Sequence, residues 1–155
     1  MKIAFLYAGQ GSQRVGMGRD LYDASPAFRA AFDAGHLDFD LHALCFEGAQ
    51  ETLNQTQYTQ PCMVAFACGV TAALFDAGLR PDYVAGLSLG EYSALEASGV
   101  LTAQSAIELA AYRGAAMAKA SEGIQSAMTA VLGLDREALM CCCEEAGELL
   151  SLIHI

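Results

Sequence analysis

Residues 83–94 read Tyr83-Val84-Ala85-Gly86-Leu87-Ser88-Leu89-Gly90-Glu91-Tyr92-Ser93-Ala94, and this stretch decides the fold. The short apolar run from Tyr83 to Ala85 predicts a buried strand, and the residues from Gly90 to about Ser98 predict a helix. Between them lies a G-x-S-x-G pattern, in which a serine occupies a sharp turn from strand to helix. The stretch therefore predicts an α/β protein that presents Ser88 at the end of a strand.

Ser88 is a candidate nucleophile, because such a turn exposes the hydroxyl and aims the backbone N–H of the next residue, Leu89, at a developing oxyanion. Taken alone, the pattern also fits a glycine-rich loop without chemistry. A nucleophilic serine needs a base, which in this class of sheet is a histidine later in the chain. His36 and His42 precede Ser88, and His154 lies in an unpatterned tail. We therefore expect the base to lie outside the 155 residues.

Further strands and helices are predicted from turn and capping residues along the chain. The predicted strands besides 83–85 are Lys2 to Ala8 and Ala127 to Leu134, and the predicted helices are Met17 to Ala24, Ser25 to Gly35, Leu37 to Phe46, Glu51 to Leu53, Pro61 to before Gly78, Thr102 to Ala120 and Asp135 to Ala146.

The composition excludes several classes of protein. With 18 acidic and 8 basic residues the net charge is −10, and 54% of the chain is hydrophobic, so we expect neither a disordered chain nor a nucleic-acid binder. The six cysteines lack metal-ligand spacing, so we expect free, mostly core thiols in a reducing cytosol and no metal site. The apolar run Cys62 to Phe75 is shorter than the ~20 residues of a membrane span and predicts a buried helix.

Arg113 is predicted to lie on the apolar side of its helix. At about 100° per residue, Glu108 and Lys119 share the opposite, polar stripe. A guanidinium in such a place needs an anion, and the spacing leaves open whether this is a carboxylate of the protein or of a substrate. The apolar neighbours of Arg113 on this face are Ala106, Leu109, Ala110, Ala116 and Met117.

The loop Gly9 to Gln13 follows the first predicted strand, where this architecture places a second oxyanion donor. The loop lacks the longer dinucleotide-binding fingerprint, so we expect no Rossmann cofactor site.

Four motifs, in this order, resemble the malonyl-CoA:acyl carrier protein transacylases of fatty acid synthesis and the related acyltransferase domains of polyketide synthases. The resemblance covers most of Met1 to about Gly147. The motifs are Phe5-Leu6-Tyr7-Ala8-Gly9-Gln10-Gly11-Ser12-Gln13, then Leu53-Asn54-Gln55-Thr56 with Tyr58-Thr59-Gln60-Pro61, then Gly86 to Ala94, and Tyr112-Arg113-Gly114.

The resemblance implies a role for five residues. Ser88 would take the malonyl group as an ester, and the backbone amides of Gln10 and Leu89 would form the oxyanion hole. Arg113 would pair with the malonyl carboxylate, and Gln60 would line the pocket. The implied partners are malonyl-CoA, as substrate, and acyl carrier protein, with no cofactor, nucleic acid or membrane, and the implied location is the cytoplasm.

The family fold implied by the resemblance is a hydrolase-like parallel-sheet subdomain with an inserted ferredoxin-like subdomain. We assign residues 1–125 to the first, residues 126–148 to the first strand and helix of the insertion, and residues 149–155 to a tail that does not match the family. The family's catalytic histidine follows the insertion, so the chain is expected to be truncated and inactive alone. Leu87 stands where many members have histidine, and we expect it to be a packing residue.

Three alternatives remain open at this stage: a polyketide-type acyltransferase domain, a general serine hydrolase, and a fragment without turnover. A Met1 directly before the first strand favours a stand-alone protein, and an Arg113 on an apolar face argues against a hydrolase of neutral esters. Because coenzyme A and acyl carrier protein are both anionic, we expect a local basic patch that includes Arg14 and Arg19.

Overall fold

The computed structural model describes residues 1–123, 131 and 133–146 and divides into two compact units, Met1–Gly123 and Ile124–Ile155. The elements of the first unit are β1 (Ala4–Tyr7), α1 (Arg19–Ala24), α2 (Pro26–Phe32), α3 (Leu41–Glu47), α4 (Gln50–Leu53), α5 (Thr56–Asp76), β2 (Tyr83–Gly86), α6 (Gly90–Ala97) and α7 (Ala103–Ala120), and the described element of the second is α8 (Arg136–Ala146).

The two strands of the first unit form a parallel pair, so the predicted α/β class is confirmed. Ala4 lies opposite Tyr83 and Tyr7 lies opposite Gly86. Parallel neighbours end at the same edge of a sheet, so the loop after β1 and the turn after β2 lie side by side. A hydrogen bond joins them directly, since the Leu87 N–H donates to the Tyr7 carbonyl at 3.0 Å.

Helix α5 lies at the centre of the first unit and packs against α2 and α7. By length and composition it could cross a membrane, but most of its apolar window is buried in the unit. The predicted buried helix is therefore confirmed. The largest fully buried apolar side chains around it include Phe28, Phe32, Leu53, Val64 and Ile107.

The start of α5 differs from the prediction, because the helix begins at Thr56 and contains Pro61 in its interior. The carbonyl of Gln55 accepts from the N–H groups of Tyr58 and Thr59 and fixes the first turn upstream of the proline. A proline lacks an N–H, so Pro61 costs α5 one backbone hydrogen bond near its N-terminal end. Full burial of the Pro61 ring offsets that loss.

Side-chain caps set the beginning of three helices. The hydroxyl of Ser25 accepts from the Phe28 N–H before α2, and the hydroxyl of Thr102 accepts from the Ser105 N–H before α7, as predicted. The third cap corrects a prediction, since Asp40 accepts from the Ala43 N–H and α3 therefore begins at Leu41. The segment 37–40 lies outside the helix.

One face of the parallel pair is open. Leu6 on β1 is 79% exposed and Tyr83 on β2 is 64% exposed, whereas alternate residues of both strands are half-buried. Parallel strands normally have both faces covered, so this pair has one covered face and one apolar face in contact with solvent.

In the second unit, α8 agrees with the helix predicted from Asp135 to Ala146. The strand predicted from Ala127 to Leu134 falls largely on residues outside the described ones, as does the tail 149–155, and the assignment of an inserted subdomain stays a prediction.

The cysteines correct one expectation. Cys45, Cys62 and Cys68 are buried, but Cys141 and Cys142 on α8 are exposed. Successive residues on a helix point about 100° apart, so the side chains of a consecutive run cannot all face one core.

Candidate active site

Ser88 lies in the turn between β2 and α6 with a φ angle of 50°, and within the described ranges it is the one residue other than glycine with a positive φ. This left-handed conformation is uncommon for a residue with a side chain, and such strain clusters at functional sites. Hydrogen bonds hold the turn, since the Gly90 N–H donates to the Leu87 carbonyl at 2.9 Å and the Glu91 N–H donates to the Ser88 carbonyl at 3.2 Å. The fold therefore sustains a strained serine at the end of a parallel strand.

Gly90 allows the turn to press against the chain leaving β1. A Cβ atom at Gly90 would lie 2.9 Å from the carbonyl oxygen of Ala8 and would also collide with that of Tyr7. Any other residue would push the two segments apart. Leu89, next to Ser88, is fully buried and anchors the turn in the core. The loop after β1, which carries Gln10, thus lies beside the turn that carries Ser88.

Arg113 on α7 reaches Ser88 directly. One guanidinium nitrogen donates to the Ser88 hydroxyl at 3.0 Å, and the other terminal nitrogen donates to Oε1 of the Gln60 side chain at 2.7 Å. Gln60 is fully buried on α5, and Arg113 is half-buried. In the part of the chain that the structure describes, Arg113 forms no salt bridge. The structure therefore brings three predicted site residues together.

Gly114 explains why Arg113 can reach α5. A Cβ atom at Gly114 would lie 2.7 Å from the carbonyl oxygen of Thr56, so α7 approaches the first turn of α5 as closely as a glycine permits. The predicted apolar stripe around Arg113 is only partly buried, since Ala106 and Ala110 are buried while Leu109 is 44% exposed. Arg113 therefore lies at the border between the buried face of α7 and an open apolar face.

A polar network extends from Arg113 to the loop after β1. Nε2 of Gln60 donates to the hydroxyl of Thr56 at 3.1 Å and contacts Sδ of Met117 at 3.3 Å. The Thr56 hydroxyl donates in turn to Oε1 of Gln10 at 2.8 Å. The sequence places Thr56 in a motif but does not predict this contact, since nothing in the spacing shows that the first turn of α5 faces Gln10.

The side chains of Gln13, Gln50 and Asn54 also hold this loop. Oε1 of Gln13 accepts from the Gly11 N–H at 2.8 Å, and its Nε2 donates to Asn54 at 3.0 Å. Gln50 donates to Asn54 at 2.9 Å and accepts from the Val15 N–H at 3.0 Å. The side chain of Gln13 thus ties the loop to Asn54, the residue after α4, and the Val15 N–H is tied to Gln50 on α4.

A carboxyl group with an unusual environment, that of Glu96, lies on the helix that follows Ser88. Burial raises the pKa of Glu96 on α6 to about 7. Among the described residues its Oε2 atom is buried without a hydrogen-bond partner. The neighbouring Cys68 thiol and Tyr7 phenol also have raised pKa values, mainly because of burial. The covered side of β1 and α6 therefore disfavours negative charge.

Two histidines lie away from Ser88. His36 is exposed, and His42 packs edge-on against the rings of Tyr22 and Phe46. Among the hydrogen bonds of the described residues, the one partner of the Ser88 hydroxyl is Arg113. His154 lies outside the described residues. The described part of the chain holds no cluster of three or more metal-binding side chains.

The expected basic patch is weak in this part of the molecule. Arg14 is exposed, but Arg19 lies 3.5 Å from both Asp23 and Glu47 and over the ring of Phe46. Those two carboxylates largely offset the charge that Arg19 would offer to an anionic substrate.

The family model described as "Acyl transferase domain" matches residues 4–146. The chain belongs to this family. The chain is 44% identical over 140 residues to the malonyl CoA-acyl carrier protein transacylase of Bacillus subtilis, and the match covers 89% of this chain and 44% of that protein.

Two solved structures of relatives have a fold similar to that of this chain. The crystal structure of the Streptococcus pneumoniae protein named MCAT aligns with a TM-score of 0.82 at 45% identity, over 96% of this chain and 49% of the other. The acyltransferase domain from the second module of the salinomycin polyketide synthase aligns with a TM-score of 0.70 at 44% identity, over 76% of this chain and 28% of the other.

The chain spans about half the length of the transacylase relatives that it matches. The resemblance predicted from the four motifs, to the N-terminal part of the malonyl-CoA:acyl carrier protein transacylases, is confirmed by these matches.

Proposed function

We propose that the chain contributes the acyl-binding half of an enzyme that transfers a malonyl group from coenzyme A to the phosphopantetheine thiol of acyl carrier protein in fatty acid synthesis. In the first half-reaction, Oγ of Ser88 attacks the thioester carbonyl, the C–S bond breaks, and coenzyme A leaves as the thiol. In the second, the carrier thiol attacks the carbonyl of the Ser88 ester, a new C–S bond forms, the C–O bond breaks, and the Ser88 hydroxyl is restored with the proton that the thiol gives up. No cofactor takes part in either step, and the cytoplasm is the proposed location.

The observation that carries the proposal is the hydrogen bond that the Arg113 guanidinium donates to the Ser88 hydroxyl. The carboxylate carbon of a malonyl ester lies three covalent bonds from the ester oxygen, or roughly 4 Å. Arg113 is 3.0 Å from that oxygen and forms no salt bridge within the described residues, so it has a charge to offer there. Two charge-assisted hydrogen bonds would hold the carboxylate in a fixed direction.

The remaining residues have supporting roles. The backbone N–H groups of Gln10 and Leu89 would stabilise the oxyanion, which is supported by the close contact between the loop after β1 and the turn after β2. Gln60 orients Arg113 from its buried position on α5. The general base, by family resemblance a histidine, is expected from residues outside the described part.

A polyketide-type acyltransferase is the second candidate, because one solved relative is a polyketide synthase domain of 44% identity. The greater coverage of this chain by the Streptococcus pneumoniae protein, 96% against 76%, favours the transacylase. A hydrolase of neutral esters would have no use for the guanidinium on Ser88.

The test uses a full-length chimera, in which residues 1–146 are joined to the C-terminal half of the Streptococcus pneumoniae protein. After incubation with malonyl-CoA, intact-protein mass spectrometry should show one malonyl group on the chimera, and added acyl carrier protein should remove it. Ser88→Ala should abolish the label while leaving the melting temperature within a few degrees.

The proposal is wrong if a chimera that melts cooperatively takes no label under conditions that label the Streptococcus pneumoniae parent. A labelled Ser88→Ala variant would place the nucleophile elsewhere. A chimera with the Bacillus subtilis half replaces the first one if that does not fold.

A further inference from the structure

Thr56 lies between Gln60, which contacts Arg113, and Gln10, in the loop after β1. It takes no direct part in the proposed reaction. Its hydroxyl accepts from Nε2 of Gln60 at 3.1 Å and donates to Oε1 of Gln10 at 2.8 Å. A hydroxyl group is both donor and acceptor, so a single side chain can link two amides in this way. Valine has the same shape as threonine but can make neither bond.

The direction of the whole chain of hydrogen bonds is set by Arg113. A guanidinium can only donate, so Gln60 has to turn Oε1 toward Arg113, and its NH₂ group then faces Thr56. Thr56 accepts from that NH₂ group, which leaves its own proton for Oε1 of Gln10. The orientation of the Gln10 amide therefore follows from the charge on Arg113 through two intermediate side chains.

The link between Thr56 and Gln10 holds the loop Gly9 to Gln13, which carries the backbone amide proposed to stabilise the oxyanion. The other side-chain bonds to this loop and to the residues after it come from Gln13, Gln50 and Asn54, and the Ser12 hydroxyl also donates to Sδ of Met63 at 3.9 Å. Among the described residues, Thr56 provides the side-chain bond made by Gln10. Gln10 is exposed, so without this bond its side chain would be free to turn into water.

We propose that Thr56 is a positioning residue that fixes Gln10, and with it the backbone amide of the oxyanion loop, through the relay Arg113–Gln60–Thr56–Gln10. This inference rests on the proposed acyl transfer through Ser88. Removing an oxyanion donor outright costs ~10²- to 10³-fold in kcat. Thr56→Val leaves the donor present but loosens it by the loss of neutral hydrogen bonds, so a fall of about tenfold in kcat is expected.

The experiment measures steady-state transfer by the chimera and its variants, with malonyl-CoA and acetyl-CoA as donors. Thr56→Val should lower kcat about tenfold for both donors, leave the KM for each within about twofold, and leave the ratio of the two donors unchanged. Thr56→Ser, which keeps the hydroxyl, should restore most of kcat. An oxyanion forms with every acyl group, so a loss specific to malonyl would contradict the inference.

Two controls separate positioning from a structural role. Thr71→Val removes a buried hydroxyl near the other end of α5 that bonds Tyr7 and the Ala67 carbonyl, so it should lower the melting temperature and keep kcat. In a Gln10→Met background, where the relay has no acceptor, Thr56→Val should have no further effect on kcat.

The inference is overturned if Thr56→Val keeps kcat within twofold, or if its effect is additive with that of Gln10→Met. Loss of the malonyl label from the unsubstituted chimera would instead refute the proposed function, so the two failures are distinguishable.

Discussion

Replacing Arg113 with alanine should change the choice between malonyl and acetyl donors. The substitution removes the guanidinium whose nitrogens lie 3.0 Å from Ser88 and 2.7 Å from Gln60, and leaves a bound malonyl carboxylate without a partner. Truncating one member of a desolvated charge pair costs roughly 2 to 5 kcal/mol. Arg113 is only half-buried, so the lower end applies, and a loss of ~2 to 3 kcal/mol corresponds to about 30- to 150-fold.

The assay is the ratio of kcat/KM for malonyl-CoA to kcat/KM for acetyl-CoA, measured on one sample of the chimera. Arg113→Ala also strips Oε1 of the buried Gln60 of its partner, which costs about 1 to 3 kcal/mol of stability. The ratio cancels any loss of folded enzyme, because both donors meet the same active population. Arg113→Lys should restore only part of the ratio, since an ammonium group lacks the planar fork.

Lys119→Ala is the matched control, because it removes an exposed cation from the last turn of the same helix. Like Arg113→Ala it removes one positive charge, but it should leave the ratio of the two donors unchanged. If Arg113→Ala shifts the ratio no more than Lys119→Ala does, the carboxylate is recognised elsewhere and Arg113 is a structural residue.

Two further predictions concern Leu87, in the turn that carries Ser88, and Glu96, near the C-terminal end of α6. Leu87 is half exposed, and Leu87→His in the chimera should change the acylation rate by less than about tenfold, the scale of altered packing, whereas a thousandfold change in a single-turnover assay would reveal a chemical role. The pKa of Glu96 is raised from 4.5 to about 7, so the folded state holds a proton that the unfolded state has lost, and stability falls as pH rises through that interval. Glu96→Gln should therefore raise the melting temperature by about 3 °C at pH 8 and have little effect near pH 4.5, after allowance for solvent screening of a half-buried group. Glu108→Gln is its control: hydrogen bonds from Gln104 and the His36 N–H lower the pKa of Glu108, so its loss should bring no gain at pH 8, and an equal gain in both variants would contradict the burial argument.

Much of the fold follows from local signals that act over a few residues. The caps at Ser25 and Thr102 and the turn around Ser88 are each set by neighbouring residues, so the sequence alone predicts where α2, α7 and α6 begin. The start of α5 was predicted wrongly, because proline at a first helical position is a strong local signal. Pro61 is instead tolerated inside the helix by packing that only the folded chain shows.

The site was predictable as a set of residues but not as a network. A helical projection puts Arg113 on the apolar side of α7, but it does not show that Gly114 brings that helix against the first turn of α5. The contacts of Gln60 with Arg113 and of Thr56 with Gln10 join residues that are about fifty positions apart. Such contacts depend on how helices pack, and no periodicity within one segment encodes them.

The open face of the strand pair matters for any attempt to produce residues 1–123 as a separate protein. Leu6 and Tyr83 expose apolar area to solvent on two adjacent parallel strands, and exposed apolar area of this kind promotes aggregation. Threonine at both positions would introduce the β-branched shape that suits a strand and would remove much of the exposed apolar area. With both changes, we expect residues 1–123 to remain in solution at higher protein concentration than the unsubstituted segment does.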